Sequence, residues 1–158
     1  MSPKLWFVAL AHSHLGQIMQ TSKWDFALVE TVHLLALATL GGSVLIIDLR
    51  LLGLVLKGES ARTIGKDLGR ILLGSLVLMI VSGVMLLSEE ALKCYYSPAF
   101  RWKMALLIAA VVFYFTLHRK ALQRTGKEAP TIWSRAVAII SISLWLGVGI
   151  AGRAIGLI

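Results

Sequence analysis

Four long apolar blocks, separated by short polar breaks, make up most of the chain. Between Glu30 and Asp48 no Asp, Glu, Lys or Arg interrupts the run, and the flanks Trp24–Leu28 and Leu49–Leu56 extend it. A helix of that length crosses a hydrocarbon core of roughly 30 Å with residues to spare. The second block, Ile71 to Ser88, stops at Glu89-Glu90. The third opens at Ser97-Pro98, an N-cap followed by a proline suited to the first helical turn, and runs to about Arg119. The fourth runs from about Trp133 to Gly152, with Arg153 beyond it. Breaks fall at Lys57-Gly58-Glu59-Ser60, at Cys94 to Pro98 and at Arg124 to Pro130. Hydrocarbon cannot solvate a bare backbone, so each block is expected to be helical. The pattern predicts an all-α, polytopic membrane protein: one domain, 1–158, built as a four-transmembrane-helix bundle with spans over about 26–52, 68–88, 98–120 and 132–154.

Ahead of the first span lies a shorter apolar run, Leu5 to Ala11, followed by His12 and His14 where a cleavable signal would carry small residues. It is expected to be retained as an interfacial helix over about 3–20, with Ser2 as N-cap and Pro3 at the first helical position.

Composition agrees: 58% of the 158 residues are hydrophobic and 15% charged, too few to coat a soluble domain. The net charge of +8 could suggest nucleic acid, but the basic residues sit between the apolar blocks, where anionic headgroups explain them more simply. Ten of them (Arg50, Lys57, Arg62, Lys66, Arg70, Arg119, Lys120, Arg124, Lys127 and Arg135) flank the breaks after spans one and three. Six (Lys4, Lys23, Lys93, Arg101, Lys103 and Arg153) lie on the other side. The excess predicts that the first set is cytoplasmic and that both termini face outward. The lone Cys94 rules out an intrachain disulfide and any CxxC site.

Few residues in the spans carry chemistry. Glu30 and His33 share a face of span one, and the stripe continues through Leu37, Gly41, Val44 and Asp48. Gly41-Gly42 would let a helix or a flat cofactor approach the backbone. An ionisable pair inside a span is a candidate site, although Glu30 reaching headgroups and His33 bonding within the bundle is an equally simple reading. Lys103 and His118 stand near opposite ends of span three; snorkelling and a boundary role are their plainer explanations. Span four presents Ser141, Trp145, Gly149, Gly152 and Gly156 along one stripe, a face suited to close packing. Arg153 is expected near the depth of Glu30, His33 and Lys103, where it either holds a carboxylate such as a haem propionate or pairs with Glu30 as a clasp. His12 and His14 point to different sides of their helix and are read as exposed; Met79 and Met85 are read as packing. The sequence contains no Walker loop, GxGxxG, zinc spacing or nucleophile elbow, and no catalytic residue is assigned. Glu30-x-x-His33 is a fragment of a di-iron pattern that lacks its remaining carboxylates.

The stretch Val32-His-Leu-Leu-Ala-Leu-Ala-Thr-Leu-Gly-Gly resembles the first-helix motif of copper-resistance-D-like membrane proteins, and Phe100-Arg-Trp-Lys-Met-Ala-Leu-Leu resembles their lysine-bearing helix. The layout is also similar to the four-helix protoporphyrinogen oxidase family, a b-haem membrane protein. An uncharacterised bacterial four-helix family resembles it more closely, through Glu30-x-x-His33, Asp48-Leu-Arg-Leu-Leu-Gly53, Ser97-Pro-Ala-Phe-Arg-x-Lys103 and Gly152-Arg153. The resemblance implies His33, Lys103 and His118 as functional positions. The chain departs from the oxidase pattern after the first helix, where Asp48-Leu-Arg50 stands and no second histidine follows.

With Asp25 and Lys103 taken as level, His33 and His118 would differ in depth by roughly 10 Å at 1.5 Å per residue, an offset that a bis-histidine haem would have to absorb. The leading expectation is a b-type haem protein of the bacterial plasma membrane, acting in electron transfer or as a redox subunit. His33 and His118 are its candidate metal ligands, and Lys103, Arg153 and Glu30 are further cofactor contacts. The alternatives are a cofactor-free accessory subunit of a larger membrane complex and, on the resemblance alone, copper handling.

Overall fold

The computed structural model describes residues 3–126 and 129–155. Ser2, Lys127 and Gly156, assigned above to a cap, a cytoplasmic loop and a packing stripe, lie outside these residues. Eight α-helices follow in order: α1 (Pro3–Ala11), α2 (His14–Thr21), α3 (Lys23–Leu52), α4 (Ala61–Glu89), α5 (Ala91–Tyr96), α6 (Pro98–Phe113), α7 (Arg119–Arg124) and α8 (Ile132–Ile155). A π-helical turn, Tyr114–His118, joins α6 to α7 and makes Pro98–Arg124 one continuous third span. The four helices α3, α4, α6–α7 and α8 are long and apolar enough to cross a membrane, as the sequence predicts.

Local chemistry sets the boundaries. Ser22, Ser60 and Ser97 cap α3, α4 and α6 by accepting hydrogen bonds from the backbone N–H of Asp25, Thr63 and Phe100. The cap at Ser60 starts the second span at Ala61, ahead of the expected position near 68. At the far end of α3, Gly53 takes φ +80 and closes the helix through Gly53 N–H to Arg50 O and Leu54 N–H to Leu49 O. A side chain at Gly53 would be strained and would meet Pro130.

The expected single interfacial helix is two. Ser13 turns the chain out of α1 and caps α2 through the Gly16 N–H. A Cβ on Gly16 would come within 2.5 Å of the Ala11 carbonyl oxygen, so the corner depends on glycine. His12 and His14 are exposed, as expected.

In the bundle α3 packs against α4 and α8, and α6 packs against α8, whereas α4 meets the third span only near α7. The core, built on Val44, Ile47, Leu51, Leu72, Tyr114, Leu122 and Val137, therefore lies toward the end that carries the α3–α4 and α7–α8 loops. At the other end, where both termini lie, α4 and α6 stand apart. There α1 lies against α5, with the Phe7 ring 5.3 Å from Tyr95 and 6.1 Å from Phe100, and Gln20 of α2 donates to the Glu89 carbonyl.

Among the described residues nothing comes within 4 Å of a Cβ placed at Gly41, Gly42 or Gly149. The close approach in span four falls instead at Gly147, where a Cβ would stand 3.2 Å from Leu106.

Candidate functional site

The gap between α4 and α6 at the termini end forms a cavity of ≈ 370 Å³, floored by α3 and α8. Glu30, His33, Lys103 and Arg153 all line it, so the convergence expected of these four residues is present. Glu89, Glu90 and Cys94 join them, as do apolar groups that include Phe26, Leu37, Met79 and Phe100. Gly41 and Gly42 are not among the lining residues.

His33 is fixed by its neighbours. Its Nδ1 lies 2.9 Å from Ser82 Oγ on α4, and Ser82 Oγ donates its own proton to the Leu78 carbonyl at 2.7 Å. With that proton committed to Leu78 the hydroxyl accepts from the ring, and in this tautomer Nδ1 carries the hydrogen and Nε2 keeps its lone pair. Nε2 is accessible and has no hydrogen-bond partner among the described residues. A histidine that ligates a metal has this arrangement, one nitrogen donating to an outer-shell acceptor and the other open. On the opposite side the Lys103 side chain runs along Gly152, whose missing Cβ would sit 3.5 Å from Cε and Nζ.

The clasp between Arg153 and Glu30 is not formed. Among the described residues the ion pairs are Lys93 with Glu90 and His118 with Asp48. Lys103 is half-buried, while Arg153 and Glu30 are exposed at the mouth. The cavity thus offers an open imidazole nitrogen and two cations to which, among the described residues, no carboxylate is bound. Cys94 is buried in the wall, where loss of water and then the nearby Glu90 carboxylate push its thiol above the usual range.

His118 is elsewhere. It is 1% exposed at the loop end, where its Nε2 is hydrogen-bonded to Asp48 Oδ1 at 2.6 Å, and Asp48 is itself fully buried. Tyr114 stacks on the His118 ring at 5.2 Å between centroids, one π-helical turn away. Ser141 of α8 faces the carboxylate without completing a hydrogen bond to it. His118 Nδ1 and Asp48 Oδ2 have no hydrogen-bond partner among the described residues. Beside them Arg50, 2% exposed, donates Nε–H to the Glu59 carbonyl at 2.8 Å and Nη2–H to the Gly126 carbonyl at 3.2 Å, pinning both loops.

The expected depth difference of roughly 10 Å between the histidines needs correction. His33 and Lys103 line one cavity, and Asp48 and His118 share one hydrogen bond. Asp48 follows His33 by 15 residues, as His118 follows Lys103. The histidines therefore sit about 22 Å apart in depth at 1.5 Å per residue. That separation is too great for both to ligate one haem iron. Among the described residues no three His, Cys, Asp or Glu converge as a metal cage.

A family profile described as a family of unknown function, DUF6644, covers residues 6–158, almost the whole chain. The chain belongs to the DUF6644 family. The matched stretch takes in the residues of the termini-end cavity and of the buried pair at the loop end alike. No curated protein and no solved structure matches this DUF6644 chain.

Proposed function

We propose that the protein is a b-type haem protein of the bacterial plasma membrane, with both termini outside, working in electron transfer or as a redox subunit. One observation carries the reading: an imidazole whose Nδ1 is committed to Ser82, and whose Nε2 is open, faces a cavity that also holds unpaired cations. The volume, ≈ 370 Å³, falls in the range of small-molecule and cofactor sites, and the mouth lies open toward the headgroup region. Resemblance to b-haem four-helix membrane proteins through His33 and Lys103 adds to it, and the excess of Lys and Arg at the loop end supports the orientation.

In this reading His33 would ligate the haem iron, with Ser82 holding its ring in the required tautomer. Lys103 and Arg153 bind carboxylates at the mouth, and Phe26, Leu37 and Phe100 keep water from the buried edge. A bound haem supplies one-electron chemistry there, at a potential set by the axial ligand and burial. His118 takes no part in ligation.

Optical spectra of protein purified from haem-replete cells, first oxidised and then reduced with dithionite, test the proposal. Sharp reduced α and β bands are expected. A featureless spectrum overturns it in favour of a cofactor-free accessory subunit. The third span favours that second reading, because only 11% of its apolar window is buried within the chain, leaving a broad face for another subunit.

A further inference from the structure

A second cavity, ≈ 330 Å³, lies at the loop end between α4 and the third span. Arg62, Lys66 and Arg70 line it from α4, and Arg119 faces them. The three α4 residues recur at every fourth position, so their cationic groups form a ladder rising about 6 Å per step along one face. Asp67, on the same helix, is not among the lining residues, and among the described residues no carboxylate lines the cavity. Among the described residues none of the four cations forms an ion pair. Arg119 lies over the Phe115 ring, 5.8 Å from its centroid, a contact that leaves its N–H groups free to donate.

Like charges one turn apart destabilise a helix, and four around one cleft raise a positive potential that an anion relieves. The floor shows which kind of anion. Below the cations the cleft continues to Leu73 and the buried Tyr114, in the region where α4 and α6 do not pack against each other. Gly65 and Gly69 allow the third span to approach there: a Cβ at Gly65 would stand 2.7 Å from Leu122, and one at Gly69 would stand 3.2 Å from the Tyr114 hydroxyl. The site is thus cationic at headgroup depth and apolar beneath, open along its length to lipid. A free phosphate would use only the upper half.

We propose that this groove binds an anionic phospholipid, with its phosphate held by Arg62, Lys66, Arg70 and Arg119 and an acyl chain lying in the cleft between α4 and α6. Basic pockets between spans are suited to such headgroups, and a charged residue at the membrane surface typically contributes enough for several-fold in affinity.

The test uses the full-length protein in mild detergent, titrated with phosphatidylglycerol or phosphatidylcholine and read by native mass spectrometry. Phosphatidylglycerol should bind preferentially. The pair Arg70→Gln/Arg119→Gln should weaken it by about 10- to 30-fold, at roughly 1 kcal/mol per charge. The pair Lys57→Gln/Arg135→Gln, which removes as much charge from the same end, should change it by less than about 3-fold. Equal losses in both pairs would mean diffuse surface attraction and overturn the site. Displacement of the lipid by millimolar inorganic phosphate would make the ligand a soluble anion and overturn the lipid assignment. A photoactivatable phosphatidylglycerol on the unmutated protein gives a reading independent of folding defects. Cross-links within 62–73 and 114–123 are expected, and cross-links confined to other segments contradict the proposal.

Discussion

At the loop end of the bundle His118 is shut in, hydrogen-bonded to Asp48 and covered by Tyr114, while Arg50 ties down the two neighbouring loops. At the termini end His33 keeps one nitrogen open to a cavity, and Lys103 and Arg153 beside it hold no carboxylate. The two ends use similar residue types to opposite effect. Ionisable groups inside a membrane are costly and persist where they pair or where they serve a ligand. In its packed core the loop end pairs them, His118 with Asp48. At the termini end His33, Lys103 and Arg153 stand around a gap between helices, without an ion pair among the described residues, the arrangement of a binding site. Intramembrane histidines are thus sorted by their partners more than by their presence.

The largest expected effect comes from breaking the buried pair. His118→Ala leaves the Asp48 carboxyl without its partner and should cost about 3–5 kcal/mol of stability, read as unfolding in mixed SDS micelles. Asp48→Ala should cost about as much, and the double variant less than the sum, because the two residues act as one unit. Additive losses would mean that the hydrogen bond contributes little.

Arg50→Met removes two charge-assisted bonds to loop carbonyls and is expected to cost about 2–3 kcal/mol in the same assay. Gly53→Ala forces a side chain into φ +80 beside Pro130 and should cost about 1–2 kcal/mol. The termini end should respond differently. His33→Ala should change stability by no more than about 1 kcal/mol, since it loses one hydrogen bond, yet abolish haem retention. Ser82→Ala leaves the ligand in place but frees its ring, and should weaken haem binding by about 10- to 100-fold. The smallest effect concerns the cavity wall. With its thiol raised by burial, Cys94 should alkylate slowly at pH 8, at a rate still climbing at pH 9, and more slowly again when haem is bound.

Much of this architecture is legible in the residues because lipid leaves few choices: an apolar block of the right length must be a helix. Ser97, followed by Pro98, marks the start of the third span in the sequence itself, whereas the caps at Ser22 and Ser60 emerge from the structure. The convergence of Glu30, His33, Lys103 and Arg153 follows from their positions near the same end of three spans. The role of His118 was also within reach, through the shared 15-residue spacing of His33 to Asp48 and Lys103 to His118. Other features depend on three-dimensional contacts that leave no local mark. Ser82 is one of several serines in α4, and only packing places it against His33. The π-helical turn at Tyr114–His118 has no distinctive composition. Gly41 and Gly42 invite a close approach that no helix makes. The corner at Ser13 and the basic groove depend on how neighbouring helices meet.

The most direct test of the contrast between the two histidines is haem content per folded protein for His33→Ala and His118→Ala, each purified alongside the unmutated chain and sorted by size-exclusion profile. The account predicts that His33→Ala is folded and colourless, whereas whatever fraction of His118→Ala folds carries its full complement of haem. Haem retained by His33→Ala, or missing from folded His118→Ala, would contradict it.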